Sequence, residues 1–455
     1  MQDAPSLSRF APADGRLGYR EVLAIAFPIL LSNLTTPFIG IVDTAALGRL
    51  GAPHLIGGVA VGGVIFSLLF WAFGFLRMGT TGLAAQAEGR GEEKEVAALL
   101  IRALILAGFA GLLLVILQRP IGEAAFALIE GSARVEAAAR TYFDVRVWGA
   151  PAALANYAIL GWFVGRGDAR TVLLLTLLLN GINIVLDALL VLVFDLGVAG
   201  VAYGTLAAEI TAAVAGIALA LRAVAGAGAR PSRSRIFEPA GFLRTLTVNA
   251  DIMVRTLALV FAFAWFAARS AAAGDVTLAV NAVLANFFHL SAYLLDGFAF
   301  AAQALVGQAI GAASFARFRG AVAVSSGWAL AIGAGLALAF WLAGGLFIDI
   351  LTVNPEIRAA ARDYFPWVAL APLTGVACFQ LDGIFIGATR TADMRNMMLV
   401  SLALYLAAWW VLAPLYGNHG LWGSLIVFFV ARAVTLGLRY PALERSCFAN
   451  SSAHG

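Results

Sequence analysis

Residues 171–194 read TVLLLTLLLNGINIVLDALLVLVF, a run of Leu, Val and Ile interrupted by Asn180, Asn183 and Asp187. At about 1.5 Å of rise per residue, roughly 20 such residues cross a hydrocarbon layer about 30 Å thick. The three polar side chains are spaced three and four apart, which sets them on one helical face. A carboxylate and two carboxamides cannot face lipid, where an ionisable group costs roughly 2.5–3.5 kcal/mol on insertion scales. The segment reads as a transmembrane helix whose polar stripe is turned into a bundle or towards water.

The rest of the chain has the same character. Its 455 residues are 62% hydrophobic and 12% charged, with a mean hydropathy of +0.90. A soluble fold of this size cannot be covered with so little polar material. Twelve apolar segments follow, near 22–47, 55–80, 96–117, 141–165, 171–194, 197–222, 242–268, 276–308, 320–347, 363–388, 395–416 and 419–440. The expected fold class is an all-α polytopic membrane protein with twelve transmembrane helices. Of the 30 Lys and Arg residues, 18 fall on the N-terminal side of the membrane and seven on the other. Basic residues accumulate in cytoplasmic loops, so both termini are expected in the cytoplasm. The net charge of +4 belongs to these loops and forms no basic cluster, so no nucleic-acid partner is expected. Two cysteines are too few for a disulfide framework or a thiolate metal site. The polar N-terminus carries no apolar run of signal-peptide length.

A shift of 222 residues exposes a duplication. AAARTYF at 137–143 lies on AAARDYF at 359–365, GWFVG at 161–165 on GIFIG at 383–387, and QAEG at 86–89 on QAIG at 308–311. An offset of six helices preserves orientation, so the repeats are parallel and their axis runs along the membrane normal. This predicts two pseudo-symmetric six-helix lobes, residues 1–225 and 242–455, joined by a cytoplasmic connector at 226–241. Two such repeats suit a transporter.

The ionisable residues at membrane depth are then the functional candidates. Asp43 follows Pro28 and Pro37 in the first segment, and each proline deletes a backbone hydrogen bond and bends its helix. Hard cations take oxygen ligands, and Asp43, Asn183 and Asp187 could supply them to Na⁺, with Thr205 a weaker candidate. In the second half, Asp251 and Arg255 are spaced as a local i,i+4 ion pair. Asp296 and Asp382 lie deeper, with Leu160 at the position equivalent to Asp382. Asn180, Arg77, Asp296, Gln303 and Asp382 are candidates to line a substrate cavity. The chain has no G-x-x-x-x-G-K-[ST] loop, no H-E-x-x-H and no G-x-S-x-G, so ATP drive and these hydrolytic sites are not expected.

Several stretches carry a family likeness: Pro28 to Gly51 with Val42-Asp43-Thr44, Leu76-Arg77-Met78 leading to Thr80–Gln86, and Asn183 to Asp187. Asn249 to Arg255, Asn281 to Val283, Tyr293 to Phe298, and Leu381-Asp382-Gly383 on to Asn396 add to them. On these the chain resembles the multidrug and toxic compound extrusion (MATE) transporters, and within them the DinF-like branch. The resemblance implies the MATE/MOP fold, with a cavity that alternates between membrane faces. It implies export of organic cations and other toxic compounds in exchange for H⁺ or Na⁺, with no other cofactor. Asp43, Asn183, Asp187 and Thr205 match the family's cation-coupling site, and Pro28 matches a proline whose helix bends with the coupling state. Asp382 matches an acid of the second lobe in other branches, while the seventh helix lacks their central acid.

The expected protein is a monomeric, multi-pass antiporter of the bacterial cytoplasmic membrane. It works in the lipid bilayer on a small, cationic, amphipathic substrate and is not an enzyme. Two alternatives remain: a lipid-linked-precursor flippase, which needs a basic cavity, and a polytopic membrane enzyme, which needs a His/Asp/Glu cluster at one face.

Overall fold

The computed structural model describes residues 17–128 and 132–449, with the side chains of residues 36–38 and 128 outside the described set. Twelve helical segments among the described residues are long and apolar enough to cross a membrane, and no β-strand occurs among them. In the first half, α1 (Tyr19–Gly48) is followed by α2 (Pro53–Ala72) and α3 (Phe75–Gly89), which share one span, and by α4 (Glu93–Ile116). A short α5 (Gln118–Leu128) precedes α6 (Ala133–Arg146) and α7 (Ala150–Gly165), which share the fourth span. Next come α8 (Ala169–Leu192), α9 (Gly197–Gly226) and the one-turn α10 (Arg233–Ile236). The second half has one long helix per span: α11 (Pro239–Ala272), α12 (Asp275–Gly311), α13 (Phe315–Leu351), α14 (Pro355–Gly387), α15 (Thr391–Tyr416) and α16 (Asn418–Phe448), with α10 sharing the span of α11. Most helices outrun the expected segments, because a hydropathy window records only the part that matches the hydrocarbon layer.

The fourth span is broken at Val147–Gly149, which forms a 3-10 turn between α6 and α7. Pro151 accounts for the break: it lacks the N–H that would bond the Val147 carbonyl, and its ring crowds that oxygen. The interruption leaves Arg146 at the end of α6 and the bare Cα of Gly149 beside it.

The 222-residue repeat reappears in the backbone. The starts of α4, α6 and α8, at Glu93, Ala133 and Ala169, correspond to the starts of α13, α14 and α15 at Phe315, Pro355 and Thr391. Three turn residues with positive φ, Gly91 (70°), Gly167 (77°) and Asp195 (55°), correspond to Ala313 (50°), Thr389 (53°) and Gly417 (55°). The glycine contacts repeat as well. A Cβ at Gly161 would stand 2.3 Å from the Arg77 carbonyl oxygen, and one at Gly165 would stand 2.6 Å from that of Thr81. In the second half, Gly383 and Gly387 press on the carbonyl oxygens of Ala299 and Gln303 at 2.5 and 2.6 Å. Both contact partners are again 222 residues apart. In lipid, helix association depends on this close packing of small residues more than on apolar burial.

The chain divides into two compact units, Leu31–Asn249 and Met1–Leu30 with Ala250–Gly455. Helix α1 passes from one unit to the other two residues after Pro28. In the first unit α3 and α4 pack on α7, α2 on α6, and α8 on α9. The connector is held there by buried Arg102 of α4, whose Nε donates to the Ile236 carbonyl at 2.8 Å. Its other nitrogens reach the Arg235 carbonyl and, at 2.6 Å, Glu95. In the second unit α12 and α13 pack on α14, and α15 on α16. An aromatic core runs between them, with Phe287 meeting Phe340 and Phe365 edge to face, each at 5.2 Å.

Candidate functional site

The polar stripe of α8 is buried: Asn180 is 5% exposed, Asn183 1% and Asp187 0%. Burial leaves each group dependent on partners from neighbouring helices. Asn180 Nδ2 donates to Thr35 Oγ1 of α1 at 2.7 Å. Asn183 Nδ2 donates to Thr205 Oγ1 of α9 at 3.0 Å, and the Thr205 hydroxyl in turn donates to the Val201 carbonyl at 3.0 Å. Asp187 and Asp43 of α1, both buried, face each other within hydrogen-bonding reach. Gly204 of α9 makes the room, since a Cβ there would stand 1.9 Å from Asp187 Oδ1.

Four buried oxygens in this cluster have no donor: Asp43 Oδ1, Asn183 Oδ1, and Oδ1 and Oδ2 of Asp187. An orphaned buried acceptor is costly, and a carboxylate pair is costlier still. A bare cation supplies what the oxygens lack, and so does a proton shared between the carboxylates. The structure thus brings Asp43, Asn183, Asp187 and Thr205 together, with Asn180 one turn away. Pro28 lies in α1; Pro37 is helical in its backbone, but its side chain falls outside the described residues.

A second set of charges lies beside this cluster. Arg146 donates to Tyr142 Oη at 2.9 Å and pairs with Glu209 of α9 at 3.5 Å. Its guanidinium sits over the rings of Phe66, Phe70 and Tyr142 at 4.8, 5.8 and 5.6 Å. Its charge acts on Asp43 and Asp187 as well. Asn156 of α7 donates to the Glu209 carbonyl at 3.0 Å. Sequence reasoning did not single out Glu209, although an acid within the sixth apolar segment meets the same cost criterion as Asp187.

In the second unit, Asp382 accepts from both Arg255 and Arg432 through one oxygen, and all three residues are buried. The rings of Phe428 and Phe429 lie 5.5 and 5.7 Å from the Arg432 guanidinium. This corrects the local pairing expected between Asp251 and Arg255. Asp251 accepts from Arg395 at 2.6 Å and Thr391 at 2.9 Å, both from α15. Spacing along α11 permitted the local pair, but the rotation of that helix delivers the two groups to different neighbours. Asp296 is half-buried and its charge is felt by Arg432. Gln303 is buried where α12 meets Gly387, and Arg77 is half-buried on α3, its carbonyl against Gly161. Of the candidates named for the cavity, Asn180 and Arg77 belong to the first unit and Asp296, Gln303 and Asp382 to the second. Among the described residues, no group of three or more His, Cys, Asp and Glu side chains has the arrangement of a metal centre.

Comparison with known proteins agrees with this picture. The MatE family matches residues 28–189 and 252–410. DNA damage-inducible protein F of Escherichia coli (strain K12) is 39% identical over 416 residues, 90% of each chain. Protein DETOXIFICATION 44, chloroplastic, of Arabidopsis thaliana is 24% identical over 93% of this chain and 82% of its own. The fold is that of the Vibrio cholerae MATE transporter VcmN, with a TM-score of 0.84 at 18% identity over 95% of this chain and 98% of that one. The chain belongs to the MatE family of multi-pass membrane transporters, the multidrug and toxic compound extrusion proteins, and to their DinF-like branch.

Proposed function

We propose that the protein is a cation-coupled antiporter that exports small organic cations and other toxic compounds by alternating access. The observation that carries this reading is the set of four unpartnered oxygens on Asp43, Asn183 and Asp187. Buried at membrane depth, they form a receptor for one proton or one Na⁺. The loaded site is stabilised by opposite charge or a shared hydrogen bond, whereas the empty site holds two facing carboxylates. A difference of this kind between loaded and empty states is what coupling requires. Because Asp43 stands on α1, the load is sensed by the helix that carries Pro28. The family's relatives support a transporter rather than an enzyme.

The basic bias of the loops supports both termini in the cytoplasm, and the proposal places the protein in the bacterial cytoplasmic membrane with a monomer as working unit. A lipid-linked-precursor flippase would need free basic groups lining its cavity. Arg102, Arg146, Arg255 and Arg432 are each engaged by named partners, which weighs against that role. The test is efflux of a cationic dye from proteoliposomes under an imposed pH gradient and, separately, an imposed Na⁺ gradient. Asp43→Asn and Asp187→Asn should each abolish the coupled component. Wild-type coupled efflux by both variants would sink the reading.

A further inference from the structure

Glu209 stands five residues along α9 from Gly204, which packs on Asp187, and its partner Arg146 also acts electrostatically on Asp43 and Asp187. Glu209 is 6% exposed and reaches Arg146 at only 3.5 Å, with Glu209 Oε2 and Arg146 Nε both lacking hydrogen-bond partners. At 3.5 Å this pair is longer than either contact of Asp382 with its two arginines. Gly149 cradles the carboxylate, since a Cβ there would stand 2.5 Å from Glu209 Oε2. The rings of Phe66, Phe70 and Tyr142 surround the guanidinium within cation–π range, an attraction that does not neutralise its charge. Tyr142 and Tyr157 are the other titratable groups of this region, with Arg77 the further cation near Tyr157.

The internal repeat supplies an independent observation. The positions 222 residues after Asp43, Arg146, Asp187 and Glu209 are Trp265, Val368, Trp409 and Ala431. All four charges are missing together from the second half, where Trp265 and Trp409 pack edge to face at 4.9 Å. Arg146 and Glu209 thus accompany the acid pair in one half and are replaced along with it in the other. A pair serving only to join helices has no reason to follow those acids.

We propose that Arg146 is a shared internal counter-charge, held by Glu209 when Asp43 and Asp187 carry the coupling ion and drawn to them when they release it, so that Glu209 sets the ion affinity of the site. The inference rests on the coupling role of Asp43 and Asp187 argued above. With the ion bound, the acids have their positive charge and the arginine compensates Glu209. Once the ion leaves, the two facing carboxylates attract the guanidinium. Release is eased by a charge that never leaves the protein.

The test is the ion dependence of ethidium efflux in proteoliposomes, with H⁺ and Na⁺ varied in turn. Arg146→Gln removes a competing cation and should raise apparent ion affinity roughly tenfold, about the effect of one charge across several ångströms of protein. Glu209→Gln removes an anion and strengthens the hold of Arg146 on the acids, so affinity should fall by about the same factor. The double variant should return towards wild type, and Arg146→Lys, which keeps the charge, should shift the midpoint less than Arg146→Gln. Single variants that leave the midpoint unmoved, or move it in one direction, overturn the proposal, as would a double variant that merely adds losses. If Arg146→Gln does not fold, the near-isosteric Glu209→Gln decides alone. Asp43→Asn and Asp187→Asn in the same preparation separate the two ideas. Coupled efflux in both removes the coupling role itself, whereas lost coupling with unmoved Arg146 and Glu209 midpoints removes only the shared counter-charge.

Discussion

Gly204→Ala is the most direct perturbation of the proposed coupling site that replaces none of its ligands. The new methyl group would stand 1.9 Å from Asp187 Oδ1, where ordinary contact needs about 3.4 Å, so the carboxylate must retreat by about 1.5 Å. A hard cation sits ~2.4 Å from a carboxylate oxygen, and the retreat stretches that distance to ~3.9 Å. At an effective dielectric near 20, the pair attraction falls from ~7 to ~4 kcal/mol, a loss of ~2.6 kcal/mol or roughly 100-fold in ion affinity. A proton shared with Asp43 is lost in the same way, because a hydrogen bond does not survive such a stretch. The assay is the ion midpoint of dye efflux, with the thermal stability of purified protein as a check on folding. Gly181→Ala in α8 is the control, since nothing lies within 4 Å of its Cβ; it should leave the midpoint alone and add up to ~1 kcal/mol of helix propensity. A Gly204→Ala protein that folds and keeps the wild-type midpoint would refute the argument, because the position of the Asp187 carboxylate would then not matter to coupling.

Two further predictions concern stability. Asp382→Asn leaves Arg255 and Arg432 buried without the carboxylate that joins them and should cost ~3–5 kcal/mol, whereas Arg255→Met leaves a balanced Arg432–Asp382 pair and should cost less. Thermal unfolding in detergent gives the order, and the reverse order contradicts the charge argument. Ala313 holds a left-handed turn at φ 50° where its counterpart in the first half is Gly91. Ala313→Gly should stabilise the protein by up to ~1 kcal/mol, as relief of the strained backbone outweighs the added entropy of the unfolded chain. A lower unfolding temperature for this variant would count against it.

The twelve spans, the duplication and the buried stripe on α8 were all legible in the sequence. Hydropathy and helical spacing are properties of neighbouring residues, and the membrane makes them decisive, because a polar group in lipid has no water to fall back on. The repeat offset was equally legible, and it extended further than the three matched motifs, to helix starts, left-handed turns and glycine contacts. What the sequence left open was which charge meets which. Asp251 and Arg255 are one helical turn apart, yet one meets Arg395 and the other Asp382. Asp43 and Asp187 stand on different helices and still face each other, with Arg146 and Glu209 arriving from two more. Pairing across helices depends on rotation, depth and the closeness that Gly204 and Gly149 permit. None of these is encoded in the distance along the chain, so the tertiary structure alone turned four scattered ionisable residues into one electrostatic unit.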